Sequence, residues 1–439
     1  MLANSTRPGM MGVLSRAMAL HPRFIPRAGQ GWLRALALSS SVVLSGCAAG
    51  GLPSVVYLAG GTNSDETIDA ELLDDFGGRL RLLEQGFRQI NSNTRFQFSL
   101  YPENQIEAAV RRRSLGGLGP DLLFVNGDTA LRLMQHRLVE PYPATAAQLN
   151  LFDPEAVKRL RAPNGQLAGL PVLIKAQLAC FNRTAVQAAP TTLNELLANS
   201  ARGKPSGLSI DLYNLFWTAG SQGAIPAVNR ALLRQPITEQ DRREIERWLS
   251  WLQNASKQQG VSFYGTQQAV EADFMAGRLA WIPCRSTALL RLRRHLGPSL
   301  GVSALPDGRY GQASPVNRLR VLALSTSSSA MGRKRALAFT KFAVNPLVQR
   351  GLTMGAQTVL PANRFVKVPV SSSTVLAAMV KAGEQGSQIN EMVSMLHSND
   401  PRIQTNEHLI TQLVFGEITP SEATERMITV LQSKPAPQR

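Results

Sequence analysis

Gly119-Pro120-Asp121-Leu122-Leu123-Phe124-Val125-Asn126-Gly127-Asp128 holds a short apolar run between turn-forming residues. Such a run, DLLFV here, reads as a buried parallel strand, covered on both faces. Upstream, residues 55–58 form a short apolar strand that ends in Gly60-Gly61-Thr62-Asn63. Leu73, Phe76, Leu80, Leu83, Phe87 and Ile90 then recur at three- and four-residue steps, which predicts a helix with one apolar face. Phe96, Phe98 and Leu100 alternate with polar residues as a strand, and a basic helix leads into the quoted run. The order strand, helix, strand, helix, strand predicts an α/β domain with a largely parallel sheet. Downstream, residues 172–181 are apolar strand material, and residues 279–282, 301–305 and 320–324 are further strands. Residues 238–259 predict a long helix with Thr238 as its N-cap and Ile245, Trp248, Leu249 and Leu252 on its buried face. A shorter helix covers residues 336–342, and breaks near 201–207 and 306–315 read as loops.

The 439 residues amount to two or three domains, and 44% hydrophobic with 18% charged residues excludes a disordered chain. Lys and Arg outnumber Asp and Glu by 47 to 30, which admits anionic partners without choosing among them. The basic runs are Arg111-Arg112-Arg113, Arg291 with Arg293 and Arg294, and Arg333-Lys334-Arg335. Each lies in an amphipathic helical stretch without interleaved aromatics or a nucleic-acid motif, so solvated helix faces are expected and no nucleic-acid partner. The three cysteines have no ligand spacing, so neither a metal nor a cofactor is expected.

The first 64 residues contain no Asp or Glu but carry Arg7, Arg16, Arg23, Arg27 and Arg34. Residues 35–44, ALALSSSVVL, are too few to span a bilayer but suit the apolar core of an export signal. The stretch closes on Leu44-Ser45-Gly46-Cys47, which resembles the lipobox of bacterial lipoproteins. That resemblance makes Cys47 the acylated mature N-terminus; plain secretory cleavage beside an incidental cysteine is the alternative. Translation from Met11 or Met18 would shorten the leader. Removing residues 1–46 leaves 42 basic against 30 acidic residues, a body of charge +12. No later stretch reaches spanning length, so a soluble body held to a membrane by lipid is expected.

Several short motifs, in order, resemble the solute-binding proteins of carbohydrate ABC importers, the maltose-binding-protein-like group. The quoted segment resembles that family's strand-then-loop after Pro-Asp, and Leu138-Val139-Glu140-Pro141 its sequel. Asn164-Gly165-Gln166-Leu167-Ala168-Gly169-Leu170-Pro171 is similar to its turn, and Ala179-Cys180-Phe181-Asn182 to its crossing strand. Phe274-Met275-Ala276-Gly277-Arg278-Leu279-Ala280, then Ala338-Phe339-Thr340-Lys341-Phe342 with Asn345-Pro346, and Leu360-Pro361-Ala362 continue the series. The resemblance implies a type II periplasmic-binding-protein fold, two discontinuous α/β lobes around an interlobe cleft. Residues 1–46 would be the signal peptide, 47–180 and 316–365 the N-lobe, 181–315 and 366–432 the C-lobe, and 433–439 a tail. It implies a periplasmic, lipid-anchored protein that captures a sugar or polyol derivative for ABC permease and ATPase subunits. A sensor component and a lipid-anchored glycoside-acting enzyme are the alternatives.

The resemblance also places the ligand groups. Trp217 stands where the family has an aromatic and is the stacking candidate, with a core tryptophan as the alternative. Asn126 and Asp128 follow a strand's C-terminal end, where hydroxyl acceptors or turn residues belong. Thr62 and Asn63 lie in the first strand-to-helix loop. Arg285, with Ser286 beside it, and Arg320 replace aromatic or glycine positions of the family, and Lys175 precedes the crossing strand. Guanidinium groups suit a carboxylate or phosphate, so an acidic sugar derivative or a small polyol glycoside is expected over a long neutral oligosaccharide, unless these arginines form salt bridges. Cys180 and Cys284 are either a disulfide or two buried free thiols. Gly297-Pro298-Ser299-Leu300-Gly301 matches G-x-S-x-G, but it follows a helical stretch and enters a strand, the reverse of a nucleophile elbow; no catalytic residue is assigned.

If Cys47 carries the lipid, the Cys47→Ser protein leaves the membrane fraction and loses metabolic labelling by fatty acid. Labelling that bypasses Cys47 in the parent protein would overturn the anchor.

Overall fold

The computed structural model describes residues 54–396 and 400–434. The leader and Cys47 lie outside them. Twelve strands occur in the described chain: β1 (Ser54–Thr62), β2 (Thr94–Pro102), β3 (Leu122–Asn126), β4 (Val139–Glu140), β5 (Leu170–Lys175), β6 (Gln177–Asn182), β7 (Ser206–Ser209), β8 (Val261–Tyr264), β9 (Trp281–Arg285), β10 (Leu300–Ser303), β11 (Arg318–Ser325) and β12 (Leu360–Pro361). They form two sheets, ordered β12-β5-β11-β3-β1-β2, with β4 beside β11, and β10-β6-β9-β7-β8.

Both sheets are mixed, which corrects the expectation of a largely parallel sheet. β1 is parallel to β2 and β3, and β7 to β8 and β9. β11 is antiparallel to β3 and β5, and β6 to β9 and β10. The physical reason is the route of the chain. β5 leads out of the first sheet toward the second, and β11 returns beside it, so the two must run in opposite directions. The first crossing falls at Ala176, so Cys180 on β6 already belongs to the second sheet rather than ending the first lobe.

Each sheet carries its own core. Leu58, Leu122, Leu123, Val125, Leu322 and Phe339 are buried in the N-lobe, and Trp217, Trp248, Leu249, Ile410 and Met427 in the C-lobe. The helix Glu239–Ser256 starts where expected: Thr238 Oγ1 accepts from the Asp241 amide, while the Thr238 amide donates to Asp241 Oδ2 at 2.9 Å. This reciprocal cap satisfies two amides that a helix start otherwise leaves open. Ile245, Trp248, Leu249 and Leu252 all lie on its buried face. Residues Gly297–Ser299 form a single 3₁₀ turn running into β10, so the G-x-S-x-G match has no elbow.

A third buried cluster joins β6 and β9 to the helix Thr374–Gln385 through Leu178, Ile282, Leu376 and Met379. Within it Cys180 and Cys284 form a disulfide across neighbouring antiparallel strands, closing a loop of sequence separation 104. The alternative of two free thiols is thereby removed. Long loops gain most from such a link, because it restricts the unfolded chain. The double variant Cys180→Ala/Cys284→Ala is expected to lose about 2–4 kcal/mol in urea unfolding; an unchanged midpoint would mean that the bridge contributes nothing.

Candidate functional site

The strands of the N-lobe sheet present their ends to a crevice whose opposite wall is the second sheet. At the end of β1, Gly61 is close-packed: a Cβ there would lie 2.2 Å from Glu103 Oε1. Only glycine leaves room for the carboxylate. Glu103 follows β2, and its Oε1 accepts the Asn126 amide at the end of β3, at 2.9 Å, and pairs with the Arg320 guanidinium from β11. Arg320 also donates to Asn126 Oδ1 at 2.8 Å and to the carbonyls of Gly61 and Phe124 at 2.6 Å each.

Beyond this floor lies a polar cavity of about 230 Å³. Asn63, Asp65, Asn126 and Lys175 line it from the N-lobe; Asp211, Tyr213, Asn214, Arg285 and Glu407 from the C-lobe; and Gln177 and Arg318 from the crossing segments. The C-lobe wall is built at a helix start. Asp211 Oδ1 accepts from the amides of Tyr213 and Asn214, capping the helix Leu212–Ser221 and projecting these two residues into the crevice. Arg318 lies over the Tyr213 ring, 4.1 Å from its centroid, which holds the aromatic face in place.

Charged contacts bind one lobe to the other. Arg285 donates to both Asp65 carboxylate oxygens, at 2.6 and 2.7 Å. Burial pushes the Asp65 carboxyl up, but Arg285 together with backbone amide hydrogen bonds holds the group below the usual carboxylate range. The Gln268 amide donates to Asp65, the Thr67 amide and hydroxyl donate to Gln268 Oε1, and Arg294 pairs with Glu71 and Asp75. The crevice is therefore closed at its rim.

Two groups facing it titrate near neutrality. Burial, assisted by Arg320, lowers Lys175 to about 7 against the pull of Glu66 and Glu103. Among the described residues Lys175 has no hydrogen-bonding or ion-pair partner for its ammonium. Burial and the neighbouring Asp211 raise Glu407 to about 7; its Oε1 accepts from the Leu212 amide at 3.1 Å.

Of the residues expected from sequence, the structure brings Asn63, Asn126, Lys175 and Arg285 together in this cavity. The others require correction. Trp217 is 0% exposed in the C-lobe core, its ring against Trp281, so it offers no face to the crevice. Ser286 is buried and its Oγ accepts the Ala176 amide at 3.0 Å, a hinge contact. Asp128 lines a separate small crevice with Arg159 and Leu319. Arg320, 1% exposed, has its two terminal nitrogens engaged under the cleft floor. Thr62 borders another cavity of about 130 Å³, lined largely by Leu72, Phe76, Leu80, Phe124 and Phe339, which meets the polar one at Lys175 and Thr287. That chamber is mostly apolar, with Glu66, Glu71 and Asp75 along one side.

Asp65, Glu103, Asp211, Tyr213, Asn214, Arg318 and Glu407 escaped the sequence reading. Tyr213 and Asn214 carried a usable signal, because they follow a strand-to-helix loop just as Asn63 does. Glu407 carried none: it meets Leu212 from 195 residues away.

No family profile and no curated protein sequence matches the chain. Solved structures do. The GacH receptor of Streptomyces glaucescens, known unliganded and with acarbose, aligns over 87% of this chain and 99% of its own with a TM-score of 0.68 at 16% identity. A cyclo/maltodextrin-binding protein complexed with maltotetraose aligns over 88% and 98%, with a TM-score of 0.63 and 17% identity. The maltodextrin-binding protein MalE1 from L. casei BL23 aligns over 88% and 100%, with a TM-score of 0.65 and 14% identity. The chain thus has the two-lobed α/β fold of these binding proteins.

Lys175 yields a pH signature. Between about 7 and its ordinary 10.5 the unfolded chain holds a proton that the folded chain lacks, so this group makes stability rise with pH across that window. Lys175→Met is expected to melt above the parent at pH 6.5, with the gain shrinking toward pH 10. A gain independent of pH would show that the amine titrates normally.

Proposed function

We propose that this protein is the extracytoplasmic, lipid-anchored solute-binding component of an ABC importer, and that it captures a small neutral sugar or glycosyl-polyol and passes it unaltered to the permease. The observation that carries this reading is the polar crevice between two lobes, walled by carboxylates and amides from both sides. Directional acceptors for hydroxyl groups, set among a few apolar side chains, suit a small polyhydroxylated solute. Tyr213 is the aromatic among the cavity's lining residues, so a ladder of stacked sugars finds no platform and a long oligosaccharide is disfavoured. The structures of similar fold include proteins bound to acarbose and to maltotetraose, which supports a carbohydrate ligand class.

The pairing of Arg285 and Arg320 argues against an anionic sugar held by those two residues. Each guanidinium already faces a carboxylate, Asp65 and Glu103 respectively. An incoming ligand anion would have to displace that carboxylate within the protein, at the cost of leaving it buried and unpaired. Arg285 instead acts on closure, because its partner belongs to the opposite lobe.

Calorimetry against neutral disaccharides, glycosyl-polyols, uronic acids and sugar phosphates tests the ligand class. Tight binding of a neutral compound, without turnover, and a roughly three- to tenfold loss in Tyr213→Ala are expected. Arg285→Gln should enlarge the unliganded protein in small-angle scattering and weaken every ligand alike. Selective loss of anionic ligands in Arg285→Gln, or hydrolysis of a glycoside by purified protein, would overturn the reading.

A further inference from the structure

The N-lobe sheet has two ends. One holds the crevice. At the other, β1, β2 and β3 begin and β11 finishes, since Ser54 pairs with Thr94, Leu58 with Leu122, and β11 is antiparallel with Leu324 opposite Leu122. The helix ends gathered there carry two of the three basic runs, which lie more than 200 residues apart in sequence. Arg111-Arg112-Arg113 closes the helix Ile106–Leu115, and Arg333-Lys334-Arg335 opens the helix Ala330–Ala343. A hydrogen bond of 2.7 Å from Ser327 Oγ to Ser114 Oγ ties the two together, and Thr326 Oγ1 donates to the Arg137 carbonyl at 3.1 Å, adding a further cation.

Pairing leaves this face strongly positive. Arg111 is matched by Glu107 and Arg333 by Glu140, but among the described residues Arg112, Arg137, Lys334 and Arg335 have no carboxylate partner. Large apolar side chains stand out among these cations: Leu115 is 86% exposed, Leu118 67% and Met331 55%. Ile90, 68% exposed, sits in the neighbouring loop at the same end. The Leu115–Leu118 tip is held rather than loose, because Arg113 Nε donates to the Leu118 carbonyl at 3.2 Å. Exposed apolar residues ringed by unpaired cations match an anionic lipid surface, where headgroups meet the charges and the leucines enter the interface.

We infer that this end of the N-lobe docks on the surface of an anionic bilayer. The chain enters β1 at this same end, where the Ser54 amide donates to the Asn93 carbonyl at 2.7 Å. Cys47 lies seven residues earlier, so a lipid on it would hold the face within roughly 25 Å of the membrane. The inference extends the anchoring reading without depending on it, since the face can be tested without the lipid. The crevice, at the opposite end of the same strands, stays free of the contact.

The test is co-sedimentation of the unacylated chain from residue 47 onward, carrying Cys47→Ser, with phosphatidylglycerol-rich vesicles and with pure phosphatidylcholine vesicles. Binding to the anionic vesicles alone is expected, weakened about fivefold for each cation removed in Arg112→Gln and Lys334→Gln. Leu115→Ser/Leu118→Ser should weaken it severalfold more than an exposed polar control such as Gln166→Ser, with melting temperature unchanged. Equal retention of the leucine variant, or equally strong binding to duplex DNA, would reduce the face to general polyanion attraction and overturn docking. Absence of binding to anionic vesicles would overturn it directly. Loss of sugar binding alone would strike the importer reading and leave this one standing.

Discussion

A buried guanidinium gathers the strand ends on which the crevice is built. Arg320 reaches Glu103, the Asn126 side chain and the carbonyls of Gly61 and Phe124, and its guanidinium lies 4.6 Å from the centroid of the Phe124 ring. These partners belong to the end of β1, the turn after β2 and the length of β3. A charge so placed is tolerable only because its acceptors surround it, and removing one side would leave the other buried without compensation, at about 3–5 kcal/mol. The residue arrives late in the chain, after β6 to β10 have built the second sheet. The edge of the first lobe that faces ligand is thus completed by a strand that has already passed through the other lobe.

The two crossings behave as one hinge because they bond to each other. The Gln177 amide donates to Asn317 Oδ1 at 3.2 Å, and the Val316 amide donates to Gln177 Oε1 at 3.0 Å. Asn317 Nδ2 in turn donates to the Ala382 carbonyl at 2.7 Å, fastening the hinge to the helix that covers the disulfide. The two crossings are thus tied to each other and to that helix. The contacts of Arg285 with Asp65, and of Arg294 with Glu71 and Asp75, join the lobes at the crevice rim. Arg285 and Asp65 are mostly buried and little screened by salt, whereas the Arg294 contacts are more exposed and weaken with ionic strength.

Arginine therefore serves different ends according to its surroundings. Arg320 is enclosed and structural, Arg285 bridges lobes, Arg318 steadies an aromatic ring, and Arg112 is free in solvent. The excess of positive charge in the composition could not distinguish these roles, because each depends on which carboxylate, ring or solvent lies across the space.

Local order was legible from residue pattern alone. The apolar run at Leu122 and its neighbours, the period of Leu80 and Phe87, and Thr238 three residues before Asp241 each state a strand, a helix face or a cap, because backbone geometry repeats over a few residues. The loop after β1 and the end of β3 were readable as crevice positions for the same reason, and Asn63 and Asn126 lie there. Trp217, Asp128, Ser286 and Arg320 illustrate the limit. Position along an element follows from sequence, but the direction a side chain faces relative to a second lobe does not. The antiparallel return of β11, the pairing of Asp65 with Arg285 across 220 residues and the placement of Glu407 beside Leu212 exist only once the chain has crossed its hinge twice. Tertiary structure decided them, because charge, burial and shape at a site are properties of whatever packs against it, and those groups come from distant parts of the chain.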